Sequence, residues 1–364
     1  MAAKTKVDFG GENNELLQEA DFKVLMKHKT EFLDLVTFVG TQKLVAITIS
    51  NCNAMYNYSF TDAQIQRRRN MAFVFYKTLF EIEILKHFFM EGVLPDRLEA
   101  QKRTAVLTSL KFLAKYLTDY DRDKEVLQKY SDGSVSEVEW ANILAAHLFK
   151  KLAPKRKTIL SDDGYAKVQG CPCKCGALLD FGDTSLGNPS VWHGSVDTIC
   201  NGNILIDIDH TTTATEMNIS VEKENRISYQ RQILAESIVT SFAMKRPAPL
   251  ISISRNQIQL FMYIPDSDIL LEGAPVILTV DNQFQLKAVF FVWLLLNYNV
   301  FKEDLSKTIR SGMPVSNFKT LVGDKLEVYE SDIHFGGCKR KLDKESDTLE
   351  FFYGLGSGGN FSGK

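Results

Sequence analysis

The stretch 192-WHGSVDTICNGNILIDIDHTTTATEMN-218 sets Trp192, His193, Asp197, Asp207, Asp209 and Glu216 among three β-rich runs. Carboxylates brought together this way hold hard cations such as Mg²⁺, which takes one or two of them and keeps water in its remaining positions. The plain alternative is the hairpin edge of an ordinary sheet. A second group lies just upstream in 171-CPCKC-175. Cys171, Cys173 and Cys175 could ligate zinc as thiolates, with Cys200 or His193 completing the tetrahedron. The competing reading is a metal-free loop, because C-x-C-x-C is not the C-x2-C spacing of zinc fingers.

The elements that must position these groups belong to a globular chain. Its 364 residues are 45% hydrophobic and 24% charged, enough for a large core. The 43 basic and 45 acidic residues nearly cancel, so no global field draws the protein to nucleic acid or acidic lipid. Any polyanion site must be a local patch. The N-terminus lacks the apolar core of a signal peptide, and the longest apolar run, 288-AVFFVWLLL-296, reads as a buried helix rather than a span. The expectation is an intracellular protein, cytoplasmic or nuclear, with no membrane partner.

Periodicity divides the chain. Residues 1–20 read as a flexible arm and 21–133 as a mainly helical domain, in which 31–51 turns from helix to strand. The run 61-TDAQIQRRRNMAFVFYKTLFEIEILKHFFMEG-92 has apolar residues in steps of three, four and six and reads as one long amphipathic helix. Further helices are expected over 96–119, 122–131 and 134–152, the last opened by a Ser134/Glu137 capping box. The Gly-, Asp- and Pro-rich segment 153–190 punctuates the chain. Beyond it come three strands within 191–221, a helix over 228–246, strands over 249–257, 258–273 and 275–283, and a buried helix over 284–301. Asp207 and Asp209 alternate with Ile206 and Ile208, the pattern of a half-exposed strand. Residues 134–353 form an α/β domain with a C-terminal extension, and 354–364 a flexible tail.

The order helix, strand with Asp197, strand with Glu216, helix, strand resembles the restriction-endonuclease-like PD-(D/E)xK nuclease superfamily. The resemblance covers about residues 134 to 265. It implies an α+β fold: a helical N-terminal region followed by an αβββαβ core around a central mixed sheet. Gly194-Ser195-Val196-Asp197 is similar to the family's G-x-x-D approach, where a small residue leaves room for substrate backbone. It implies Asp197 and Glu216 as ligands of Mg²⁺ or Mn²⁺, with Asp207 and Asp209 joining only if they share that face. The residue two beyond the second acid is usually Lys, on the same face of the strand. Here it is Asn218, which can order a water but brings no charge. Gln232, or Gln230, would orient the water or phosphate from the following helix, and Glu137 or Glu139 would add a metal contact from the preceding one.

Basic residues offer a phosphate-tracking groove: Arg67, Arg68 and Arg69 in one run, and Lys155, Arg156 and Lys157 just before the core. Solvated faces are the alternative. No G-x-x-x-x-G-K-[ST], no G-x-S-x-G, no H-E-x-x-H and no G-x-G-x-x-G between strand and helix occurs. Nucleotide-driven motors and the common hydrolases are disfavoured. The expected function is a metal-dependent nuclease, or nuclease-like DNA- or RNA-binding protein, hydrolysing phosphodiester bonds. The alternative is a catalytically inactive scaffold of the same fold, acting through protein interaction by its helical N-terminal domain.

Overall fold

The computed structural model describes residues 17–131, 134–153, 157–162, 170–202, 204–208, 219–281, 283–303, 305 and 312–338. It is a mixed α/β protein built on one large mixed sheet between two helical layers.

In the large sheet one core strand comes from the segment 153–190, which was expected only to punctuate the chain, and not from the three strands expected within 191–221. Helix α6 (Glu137–Leu144) precedes β4 (Thr158–Ser161), β8 (Thr198–Cys200) and β9 (Ile204–Ile208), which pair antiparallel in turn. Short strands β5 (Asp180–Gly182), β6 (Ser185–Gly187) and β7 (Trp192–Ser195) intervene between β4 and β8. Helix α8 (Ile219–Met244) then crosses to β10 (Ala248–Ile253), which lies parallel to β9. A helical crossover is what a parallel pair requires, since no tight turn can join strands running the same way. Strands β11 (Gln257–Ile264) and β12 (Ile269–Gly273) continue antiparallel from β10. Next to β12 come β1 (Lys43–Cys52) and, at the edge, β3 (Ile65–Phe75), so the sheet also draws strands from before residue 134.

Successive side chains along each strand enter opposite layers. Ile204, Ile206 and Ile208 pack with the N-terminal helices and α9 (Leu286–Leu296), whereas Leu205 packs with Ile233, Leu234 and Ile238 of α8. Covered on both sides, β9 is buried along its whole length, and the expectation of a half-exposed strand is corrected. Asp207 shares the α8 face with Leu205, which is the step that makes it chemically interesting.

The long helix expected over 61–92 is instead β3 followed by α3 (Ile82–Glu91). Spacings of three and four fitted a helix, but β1 offers an open edge to QRRRNMAFVF. Pairing sets Arg67 and Arg69 on one face, where both reach Glu272 of β12. The capping box of α6 is also shifted: Ser136 and Glu139 form it, two residues beyond the expected pair. In the third β-rich run, residues 209–218 lie outside the described residues, and Ile219 onward belongs to α8. The apolar run at 288–296 is a buried helix as expected, and no described helix is long and apolar enough to cross a membrane.

Candidate functional site

Asp197 occupies the bend between β7 and β8, half-buried. Its Oδ2 accepts the backbone N–H of Ile208 at 2.7 Å, tying it to the end of β9. Asp207, one residue earlier on β9 and facing α8, is 2% exposed. Burial is the first cause holding its carboxyl well above the usual range. The negative charges of Glu236 and Asp197, a shared-proton contact with Asp197 and the charge of Glu137 act in the same direction. Glu236, fully buried on α8, is raised by its own burial and by Asp197, with the Gln232 hydrogen bond opposing. Gln232 Nε2 donates to Glu236 Oε1 at 2.9 Å, across the i, i+4 spacing of the helix.

The result is a carboxyl-rich site drawn from α6, the approach to β8, β9 and α8. Asp207 Oδ2 and Glu236 Oε2 are both buried with no hydrogen-bond partner. Such oxygens are costly in a low-dielectric interior unless a proton or a cation meets them. Among the described residues, the ligand atoms that gather closely enough to hold a metal are those of His147, Cys171, Cys173 and Cys175 rather than these carboxyls.

Of the residues expected from sequence, Asp197 and Glu137 lie near enough to act on Asp207, and Gln232 hydrogen-bonds Glu236. Glu216 and Asn218 lie outside the described residues, as does Asp209. Glu139 is engaged in its helix cap. Gln230 accepts from Arg67 at 2.7 Å. Gly194 makes room for a ring of this chain rather than for substrate backbone: a Cβ there would lie 2.8 Å from Phe60 Cδ2. Trp192 is buried, its Nε1 donating to Asn53 Oδ1 at 2.9 Å. Among the basic residues, Arg67 and Arg69 share the buried Glu272, which leaves the exposed Arg68 and Lys157 outward, while Lys155 and Arg156 lie outside the described residues.

Glu236 was not singled out from sequence. Its signal was a lone acid inside the apolar face Ile233, Leu234, Ala235, Ile238 and Val239, four residues after a Gln.

The cysteine group has its own geometry. Cys171, Cys173, Cys175 and His147 present ligand atoms that all lie within 4.8 Å of one another, a cluster that could hold a metal such as zinc. The fourth member is His147, replacing the two residues proposed for that place. Cys200 is buried beside Thr158 (3.7 Å), and His193 hydrogen-bonds the Val191 carbonyl at 2.9 Å. The thiols differ. Burial pushes Cys171 and Cys173 up, whereas Cys175 is brought down to about 7: burial raises it, but the Ala177 N–H, Cys173 and His147 together outweigh that.

Compared with known protein families, characterised proteins and solved structures, the chain matches none.

Proposed function

We propose that this chain is a divalent-metal-binding protein of the restriction-endonuclease-like type, acting on the phosphodiester backbone of nucleic acid. The observation that carries the reading is the pair of buried, donorless oxygens on Asp207 and Glu236 beside the half-buried Asp197. The succession α6, β4, β8, β9, α8 and β10, with β5, β6 and β7 inserted after β4, supports it. Asp207 takes the part that the sequence assigned to Glu216. Asp197 and Asp207 would hold Mg²⁺ or Mn²⁺ with Glu236, which Gln232 orients, and Glu137 lies near enough to contribute. The metal, when bound, polarises a phosphate oxygen and lowers the pKa of a water.

A second reading has one specific observation behind it. The residue two beyond Asp207 is Asp209, and the one two beyond Glu216 is Asn218, so neither register supplies the usual Lys. On that reading the site binds a metal and the protein acts as a scaffold without cutting.

The test uses the full chain with single- and double-stranded DNA and RNA in Mg²⁺ or Mn²⁺, alongside Asp197→Ala, Asp207→Asn and Glu216→Ala. Cleavage lost in the first two variants and kept in the third supports the nuclease. Metal-induced thermal stabilisation without cleavage supports the scaffold. Neither stabilisation nor cleavage overturns both.

A further inference from the structure

We propose that His147, Cys171, Cys173 and Cys175 form a closed structural zinc centre that clamps the loop 170–178 onto the helical layer. The donor set decides the metal class. Three sulfurs and one imidazole suit a soft or borderline ion and disfavour Mg²⁺ or Ca²⁺. The spacing fits as well. The Sγ atoms of Cys171 and Cys173 are 3.1 Å apart, His147 Nε2 is 3.1 Å from Cys173 Sγ, and the whole set spans no more than 4.8 Å. Bonds of roughly 2.3 Å to sulfur and 2.0 Å to nitrogen in a tetrahedron place ligand atoms roughly 3.5–3.8 Å apart, inside that range.

Local structure brings the thiols together despite their unusual spacing. Lys174 takes φ 62° and Gly176 φ 80°, while the Lys174 N–H donates to Cys171 O at 2.9 Å and the Cys171 N–H to Ala177 O at 3.1 Å. On an extended strand these alternate side chains would share one face but stand roughly 6.6 Å apart; the knuckle draws the three thiols in toward one centre. The imidazole comes from the far side. His147 sits in a single π-helical turn, Ala145–Phe149, that continues directly from α6. Such turns widen a helix locally and recur at functional positions.

A buried carboxylate fixes the ring. His147 Nδ1–H donates to Asp123 Oδ1 at 2.8 Å, leaving Nε2 toward the sulfurs. Asp123, from helix α5 (Tyr120–Tyr130), is completely buried and takes two further bonds from Lys151 Nζ at 2.7 and 2.6 Å. Carboxylate to imidazole to metal is the usual outer arrangement around zinc-bound histidine. Asp123 is therefore a positioning residue, and Lys151 balances its charge. With four protein ligands no coordination position is left for substrate, so the role is structural. Coordination needs no redox partner: thiol protons are released as Zn–S bonds form.

This inference stands apart from the carboxyl site, and its test does too. Metal analysis of the full chain purified without chelator should find one zinc per protein. Replacement by Co²⁺ should give thiolate-to-cobalt charge-transfer absorption and the intense visible bands of tetrahedral cobalt. Cys173→Ser should abolish the charge-transfer spectrum of a three-thiolate site. Asp123→Asn should weaken zinc affinity by about 10–100-fold while leaving all four ligands in place. Should Cys173→Ser fail to fold, the cobalt spectrum of the unaltered chain still decides. A metal-free protein with a Cys171–Cys173 disulfide, iron bound in place of zinc, or cobalt bands without thiolate charge transfer would each overturn the proposal. Mn²⁺ stabilisation through Asp207 should persist in Asp123→Asn.

Discussion

The Glu236 carboxyl on α8 lies close enough to Asp207 on β9 to help hold that acid's pKa well above the carboxylate range, behind only the effect of burial. Each keeps one buried oxygen that no donor reaches. A strand and a helix that pack through Leu205, Ile233 and Ile238 have thus been given two acids where apolar groups would pack more cheaply.

The first prediction follows from that cost. Asp207→Asn and Glu236→Gln keep the side-chain shape and remove a buried acid. Each should raise stability in EDTA by about 1–3 kcal/mol, since relieving buried like-charged groups favours the fold. Each should also lose the stabilisation that Mn²⁺ confers on the unaltered chain. Urea denaturation with and without the metal reads both effects. A variant that is weaker in EDTA yet keeps its response to Mn²⁺ would place the metal elsewhere.

Glu272 gives a prediction of opposite sign. It is 2% exposed, yet its pKa is lowered: burial pushes it up, and the hydrogen bonds and charges of Arg69 and Arg67 more than reverse that. A depressed folded-state pKa contributes stability above the unfolded value of about 4.3 that is lost as pH falls through the folded one. Glu272→Gln should cost about 1–3 kcal/mol at pH 7, because it removes the charge that Arg67 and the largely exposed Arg69 share and leaves a buried amide in its place. The difference between the two proteins should shrink below about pH 4. Denaturation series from pH 3 to 7 would show this, and a pH-independent gap would count against the ion pair as its source.

What could be read from sequence followed how local each feature is. Helices 100–118 and 286–296, the 228–244 part of α8 and strands β9 to β12 carried their own apolar period, so their types were legible, whereas the first turn of α8, from Ile219, was read as strand. Strand β3 was not, because its stability comes from the open edge of β1 and from Glu272, some two hundred residues away in sequence. The site shows the same division. Asp197 and Gln232 were singled out from element order alone. Glu236 and His147 each sit as one polar residue in an apolar helix face, a pattern that more often marks a satisfied core group than a ligand. Only the packing of α8 on β9, and of the π-helical turn on the cysteine knuckle, assigns them partners.

Gly194 separates fold from chemistry in the residues just before Asp197. A Cβ there would meet Phe60 at 2.8 Å from Cδ2 and 3.3 Å from Cγ, and Phe60 is itself 2% exposed and held in the α8-side core. The ring cannot retreat without disturbing Ile65 and Trp192, which belong to the same cluster. Gly194→Ala should therefore destabilise the protein by about 1–3 kcal/mol, the usual cost of overfilling a packed interior. Metal binding should survive, since Asp197 is anchored independently by the Ile208 N–H. Thermal denaturation and Mn²⁺ titration of the same preparation test the two halves together. Unchanged stability with a lost Mn²⁺ response would return Gly194 to the role of making room at the site.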